Sequence, residues 1–108
     1  MRGQREVKLE AAFQKQVIDL LRLRSWRVAH FRTAQTARGA YVTPVAADGK
    51  GFPDLVAVRR GRLIFVELKS KTGRLGAEQR VWLDELNGAA EVYVWRPSDW
   101  AEIERTLV

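Results

Sequence analysis

Cysteine is absent from the 108 residues. That removes disulfides and thiolate-ligated zinc, and it suits a reducing compartment. Histidine occurs once, as His30, which excludes a metal centre built on several imidazoles. No apolar run approaches the roughly 20 residues that span a bilayer, and the opening MRGQREVKLE lacks the apolar core of a secretion signal. Internal repeats and low-complexity tracts are missing too. These absences predict a soluble protein of the cytosol with no membrane partner.

What is present looks globular. Hydrophobic residues make up 46% and charged residues 30% of the chain, which is not the balance of a disordered tail. The length predicts a single domain over residues 1–108. So small a domain buries a modest core, and a partner subunit would add to its stability. The net charge is +6, carried mostly by arginine. Arginine stays protonated and grips phosphate bidentately, so a polyanionic partner fits; a solvated basic surface accounts for the charge equally well.

Residues 1–7 read as a frayed basic leader. Leu9, Phe13, Val17, Leu20 and Leu21 then recur at helical spacing, predicting a helix over 8–24. WRVAHFR (26–32) alternates as a strand, with Trp26, Val28 and His30 on one face. The stretch from 33 to 51 is rich in Gly, Ala, Thr and Arg. Within it YVTPV suits a short edge strand, and its length suggests a functional or mobile segment. A second helix is predicted over 77–86, ending near Asn87-Gly88, followed by a strand at 91–95. Pro97 stops that strand, and Asp99 with Glu102 fits a capping box for a last helix carrying Trp100, Ile103 and Leu107. Both faces of LIFV are apolar, so that strand is central and helices cover both sides of its sheet. The fold class is α/β, a sandwich with a central mixed sheet flanked by helices.

Against this pattern the stretch GFPDLVAVRRGRLIFVELKSK (51–71) carries polar residues along apolar strands. A turn at Arg60-Gly61 pairs Arg59 with Arg62, Val58 with Leu63 and Val56 with Phe65, and by extension Asp54 with Glu67. A bulge would shift each pair by one. Directly opposed residues hold their Cβ atoms roughly 4.5 to 5.5 Å apart on one face. Two carboxylates there repel, and a divalent cation relieves the repulsion. Lys69 lies two residues beyond Glu67, on the same face. The set therefore suits a hard cation, Mg²⁺ or Mn²⁺, with an ammonium beside it. Taken alone, Glu67 and Lys69 read as an exposed ion pair; with Asp54 opposite, the metal site is the favoured reading.

Two helical residues aim at the same region. At about 100° per residue, Glu10 falls on the apolar face of the first helix; taken alone it is better read as a first-turn acid favoured by the helix dipole. Gln79 shares a stripe with Trp82, Leu83 and Leu86, and reads either as a site residue or as a buried amide bonded to backbone. His30 is more simply a structural residue than a catalyst. Arg32, Arg38, Lys50, Lys71 and Arg74 are candidate phosphate contacts, although a run of charge is usually a solvated face.

Gly51-Phe52-Pro53-Asp54, then Glu67-Leu68-Lys69, then Gln79 resemble the PD-(D/E)XK nuclease pattern. With the leading helix EAAFQKQVIDLLRLRSW, the chain is most similar to the virus-type replication-repair nuclease (VRR-NUC) domain, from about residue 8 to 95. The resemblance implies a restriction-endonuclease-like fold and catalytic residues Asp54, Glu67, Lys69, Glu10 and Gln79. It implies that Asp54, Glu67 and the Leu68 backbone carbonyl bind Mg²⁺ or Mn²⁺, with Glu10 as a further ligand. The implied activity is metal-dependent hydrolysis of DNA phosphodiester bonds in replication or repair, on branched or four-way junction DNA, in a bacterial cell or encoded by a phage. The small core, four Trp and basic surface suit a homodimer. Competing readings are a restriction-like duplex endonuclease, a non-catalytic basic nucleic-acid-binding domain and a structural subunit with relic polar residues.

Overall fold

The computed structural model describes residues 4–31, 34–35, 37–39, 41–42 and 45–108. Helix α1 (Gln4–Leu23) leads into β1 (Arg27–His30), β2 (Ala34–Gln35), β3 (Tyr41–Val42), β4 (Leu55–Arg59) and β5 (Arg62–Leu68). Helix α2 (Ala77–Leu86), β6 (Glu91–Trp95), a 3-10 turn (Pro97–Asp99) and α3 (Trp100–Thr106) complete the chain. The main sheet has the order β1-β4-β5-β6. Its first three strands are antiparallel neighbours, and β6 runs parallel to β5 after the α2 crossover. The expected mixed α/β sheet, with the LIFV strand inside it, is therefore observed.

The β4–β5 hairpin keeps the register that its sequence predicts: Val56 opposes Phe65, Val58 opposes Leu63 and Arg59 opposes Arg62. Both loop residues lie in the left-handed region, Arg60 at φ 48° and Gly61 at φ 81°. That is the signature of a two-residue type I′ turn, whose twist matches the strands it joins.

Alternation along these strands divides the molecule. Leu55 and Ala57 of β4 and Ile64, Val66 and Leu68 of β5 form one buried cluster with Phe13, Val17 and Leu21 of α1 and Ile103 and Leu107 at the C-terminal end. Phe65 and Glu67 point the other way, where Gln79 and Trp82 of α2 meet them through direct and bridging contacts. Helices thus cover both faces.

Four details differ from the sequence reading. Helix α1 starts at Gln4, because Gln, Arg and Glu are good helix formers and extend it through most of the expected leader. It ends one residue earlier than expected, in a Schellman arrangement: Trp26 N–H donates to Leu21 O (2.9 Å) and Ser25 N–H to Arg22 O (3.1 Å). Ser25 takes φ 66° there, a place usually held by glycine. Asp99 does not form a capping box with Glu102; its carboxylate accepts the Arg96 N–H at 2.8 Å and closes the 3-10 turn instead. The YVTPV segment pairs as β3 with β2 in a separate ribbon, not on the edge of the main sheet, and Thr43 and Pro44 lie outside the described residues.

Several arginines are structural. Trp26 carries the guanidinium groups of Arg59 and Arg62 at 4.7 and 5.0 Å from its ring centroid. Arg59 also donates to Arg24 O at 3.0 Å and Val108 O at 2.6 Å. Arg62 grips Glu91 with two bonds of 2.8 and 2.6 Å, tying the start of β5 to the start of β6. That grip holds the Glu91 carboxyl down at about 2.

Gly51 fixes the approach to β4. Its φ is 82°, and a Cβ placed there would lie 2.6 Å from the Glu78 carbonyl carbon and 2.7 Å from Gln79 N, inside the first turn of α2. Gly61 has the same backbone sign but open space around it. We expect Gly61→Ala to cost about 1–2 kcal/mol, the left-handed penalty alone, and Gly51→Ala to cost more because α2 must also move. Urea midpoints measure both; an equal or smaller loss for Gly51→Ala would contradict the close docking of α2.

Candidate active site

The end of the β4–β5 hairpin opposite its turn carries the polar cluster. Asp54 directly precedes β4 and continues its register toward Glu67. Its backbone carbonyl accepts the Phe31 N–H at 3.0 Å. Its carboxylate Oδ2 accepts the Leu68 N–H at 2.8 Å. These bonds lock Asp54 between β1 and β5.

Glu67 is the buried charged side chain of the described residues, 3% exposed. Gln79 Nε2 donates to its Oε2 at 2.8 Å, and Lys69 Nζ stands 3.7 Å from the same oxygen. Gln79 Oε1 in turn accepts the Gly76 N–H at 2.7 Å. One amide therefore caps the first turn of α2 and orients Glu67. Of the two readings of Gln79, the amide bonded to backbone is seen at Gly76, and the same side chain also holds Glu67.

Electrostatics mark the pair as frustrated. Burial raises the Asp54 carboxyl above its ordinary value, against the Leu68 N–H and the Lys69 charge that favour its anion. Burial, and after it the Asp54 charge, push Glu67 up to about 8 from an ordinary 4.5, against the pull of Lys69. A divalent cation suits such a donor set: two carboxylates that cannot comfortably ionise together, facing each other with all-oxygen chemistry. Glu10 acts on Asp54 as a like charge and His30 as a favourable one, so α1 and β1 both bring titratable groups near. Among the described residues no three His, Cys, Asp or Glu side chains form one chelating group.

The segment before Asp54 is fastened to α2. Trp82 Nε1 donates to Asp48 O at 3.0 Å. Phe52 makes edge-on contacts with Phe31, Phe65 and Trp82 at 5.3, 5.9 and 4.9 Å between centroids. Phe52 thus joins β1, β5 and α2 two residues ahead of Asp54.

The expected phosphate contacts divide. Lys71 is exposed and lines a cleft with Glu10 and Lys69, and Arg74 is exposed on the same post-β5 segment. Lys50 is exposed but lies 3.6 Å from Glu78 of α2. Arg38 is exposed beyond β2, and Arg32 lies outside the described residues. Sequence reasoning missed Arg96, which donates to both Ser70 O and Gly73 O at 2.6 Å and so shapes the segment after Lys69. The one available signal was the helix between two strands, which implies a parallel β5–β6 pair and puts residue 96 beside residue 69.

Residues 36–98, well over half of the chain, match the family model of the VRR-NUC domain. The matched span holds Asp54, Glu67, Lys69 and Gln79, whereas Glu10 precedes it. No curated protein and no solved structure matches the chain.

Glu67 gives a pH test. Its folded pKa lies above its unfolded one, so its contribution to stability is complete below about 4.5 and is lost as pH rises through about 8. Asp54 acts in the same direction, while Glu91 acts below this window, its bond to Arg62 failing only as pH falls toward about 2. The metal-free protein should therefore lose stability between pH 5 and 8.5, and Glu67→Gln should flatten that slope and melt higher at pH 8.5. Thermal melts across the range decide it; an unchanged slope in the variant would contradict the frustrated pair.

Proposed function

Because this chain belongs to the VRR-NUC domain family, a family of nuclease-type domains, we propose that it is a Mg²⁺- or Mn²⁺-dependent endodeoxyribonuclease acting on branched DNA. The observation that carries the reading is the Asp54–Glu67 pair at one sheet end, with Lys69 Nζ 3.7 Å from Glu67 and Gln79 holding the carboxylate in place. A basic binding module has no use for two opposed acids, one buried and one half-buried, since they oppose phosphate unless a cation intervenes.

In this reading Asp54, Glu67 and the Leu68 carbonyl hold the cation, and Glu10 contributes from α1. The bound cation supplies Lewis-acid polarisation of a phosphoryl oxygen and a water more easily deprotonated at neutral pH. The remaining work falls to the chain. Lys69, 17% exposed, offers a fixed positive charge where negative charge grows on the phosphoryl oxygens during in-line attack. Gln79 and the Leu68 N–H keep the two carboxylates from swinging away before substrate arrives. Lys71 and Arg74 lie on the segment after β5, where a DNA backbone entering the site would pass.

Assembly as a homodimer is part of the proposal. Val58 and Leu63 oppose each other across the hairpin and are 43% and 40% exposed, an apolar surface that a second copy would cover. Two-fold symmetry would present two sites to the paired strands of a four-way junction.

Wild-type protein should cut four-way DNA faster than linear duplex in Mg²⁺ and stop in excess chelator, with Ca²⁺ supporting binding but not turnover. Asp54→Ala, Glu67→Ala and Lys69→Ala should each lower cleavage on the order of 100-fold or more in folded protein, and Glu10→Ala less. Full activity in chelator, or in Asp54→Ala, would remove the reading. Equal rates on the two DNAs would remove the branch preference alone, and a monomer mass by light scattering the dimer.

A further inference from the structure

A cleft of about 430 Å³ opens beside the carboxylate pair, between α1 and the segment that follows β5. Glu10 and Lys69 belong to both the cleft and the site. Away from them the apolar surface comes from Phe13 and Leu68, 5% and 8% exposed, with Ala12 and Pro97. Polar side chains edge it from both sides, Gln14 and Gln16 on α1 and Lys71 and Thr72 beyond β5. The volume is that of a small-ligand pocket, about 300–1,000 Å³. The cleft is also preformed. Arg96 bonds both Ser70 O and Gly73 O, and Ser70 Oγ accepts the Gly73 N–H at 2.9 Å, so the wall beyond Lys69 is pinned.

We propose that this cleft is a subsite for the base of an unpaired nucleotide adjoining the phosphate to be cut. The proposal rests on the nuclease reading above for the position of that phosphate. Three features select this occupant. The pocket runs directly into the phosphate-facing groups, so its contents are continuous with the substrate strand. Two lysines, Lys69 and Lys71, border an apolar interior, which suits a flat base joined to an anionic backbone. The Gln14 amide offers both a donor and an acceptor, as a base edge requires. A base stacked in continuous duplex cannot enter, so an unpaired or extruded nucleotide is needed.

The test is binding in Ca²⁺, read by fluorescence anisotropy, which needs no cleavage. One labelled duplex carries a single bulged adenine; a second carries an abasic bulge at the same position. Wild-type protein should bind the adenine bulge about tenfold more tightly, the scale of one base contact. Ala12→Trp places a ring in the cleft from an exposed helical position, and it should erase that ratio while leaving the abasic affinity unchanged. Ala12→Leu, a strong helix former, serves the same comparison should the tryptophan variant melt early. Equal affinity of wild type for the two duplexes, or an equal loss on both in the filled variants, would overturn the proposal. Cleavage of the same duplexes in Mg²⁺ reports separately on the nuclease reading: no cutting of any DNA with the tenfold ratio intact would remove the activity and leave the base subsite.

Discussion

The opposition of Asp54 and Glu67 depends on a turn at the far end of the same hairpin. Arg60 and Gly61, both left-handed, fix a register in which Leu55 faces Val66 and Ala57 faces Ile64. Side chains alternate faces along a strand, so a slip of one residue would send Glu67 into the α1–α3 core and bring Val66 and Leu68 out of it. The core is completely closed at Leu55, Ile64 and Val66. Apolar burial, about 25 cal/mol per Å², therefore enforces the same register that sets two carboxylates against each other. The site is stabilised by residues that take no part in it.

Around that pair, α2 serves as the organising element on its face of the sheet. Its first turn lies against Gly51, its Gln79 amide bonds Glu67, and its Trp82 ring and indole N–H hold Phe52 and Asp48. Each contact fixes a different part of the approach to Asp54. The net positive charge, by contrast, is a poor map of a nucleic-acid surface. Arg59 and Arg62 sandwich against Trp26, Arg24 donates to Glu104 O, and Arg96 clamps the segment after Lys69. Lys71 and Arg74, by contrast, are exposed.

The hairpin, α2 and β6 were legible because strong signals agreed there: period-two apolar runs, an Arg-Gly turn, and Asn87-Gly88 after a helical stripe. The pairing of Val56 with Phe65 followed from counting out of the turn. Other features depend on tertiary contacts that no local pattern carries. Ser25 ends α1 in a conformation usually given to glycine, held by Trp26 in the core. Asp99 had a capping-box spacing, but the chain turns at Pro97 and delivers its carboxylate to Arg96 instead. The ion pair of Lys50 with Glu78 likewise arises only once its loop docks on α2. Gly51 was recognisable within its motif, yet the reason for it, a helix backbone where a Cβ would stand, exists only in the folded chain.

The proposed cation site at Asp54 and Glu67 is tested most directly by titrating Mn²⁺ into the protein by calorimetry near pH 8 in the absence of DNA. Wild type should bind saturably with release of protons, because Glu67 is held at about 8 without the ion and ligation requires its anion. Asp54→Asn, which keeps the shape and removes one of the opposed charges, should weaken that binding severely. Unchanged Mn²⁺ affinity in Asp54→Asn would contradict the proposed site.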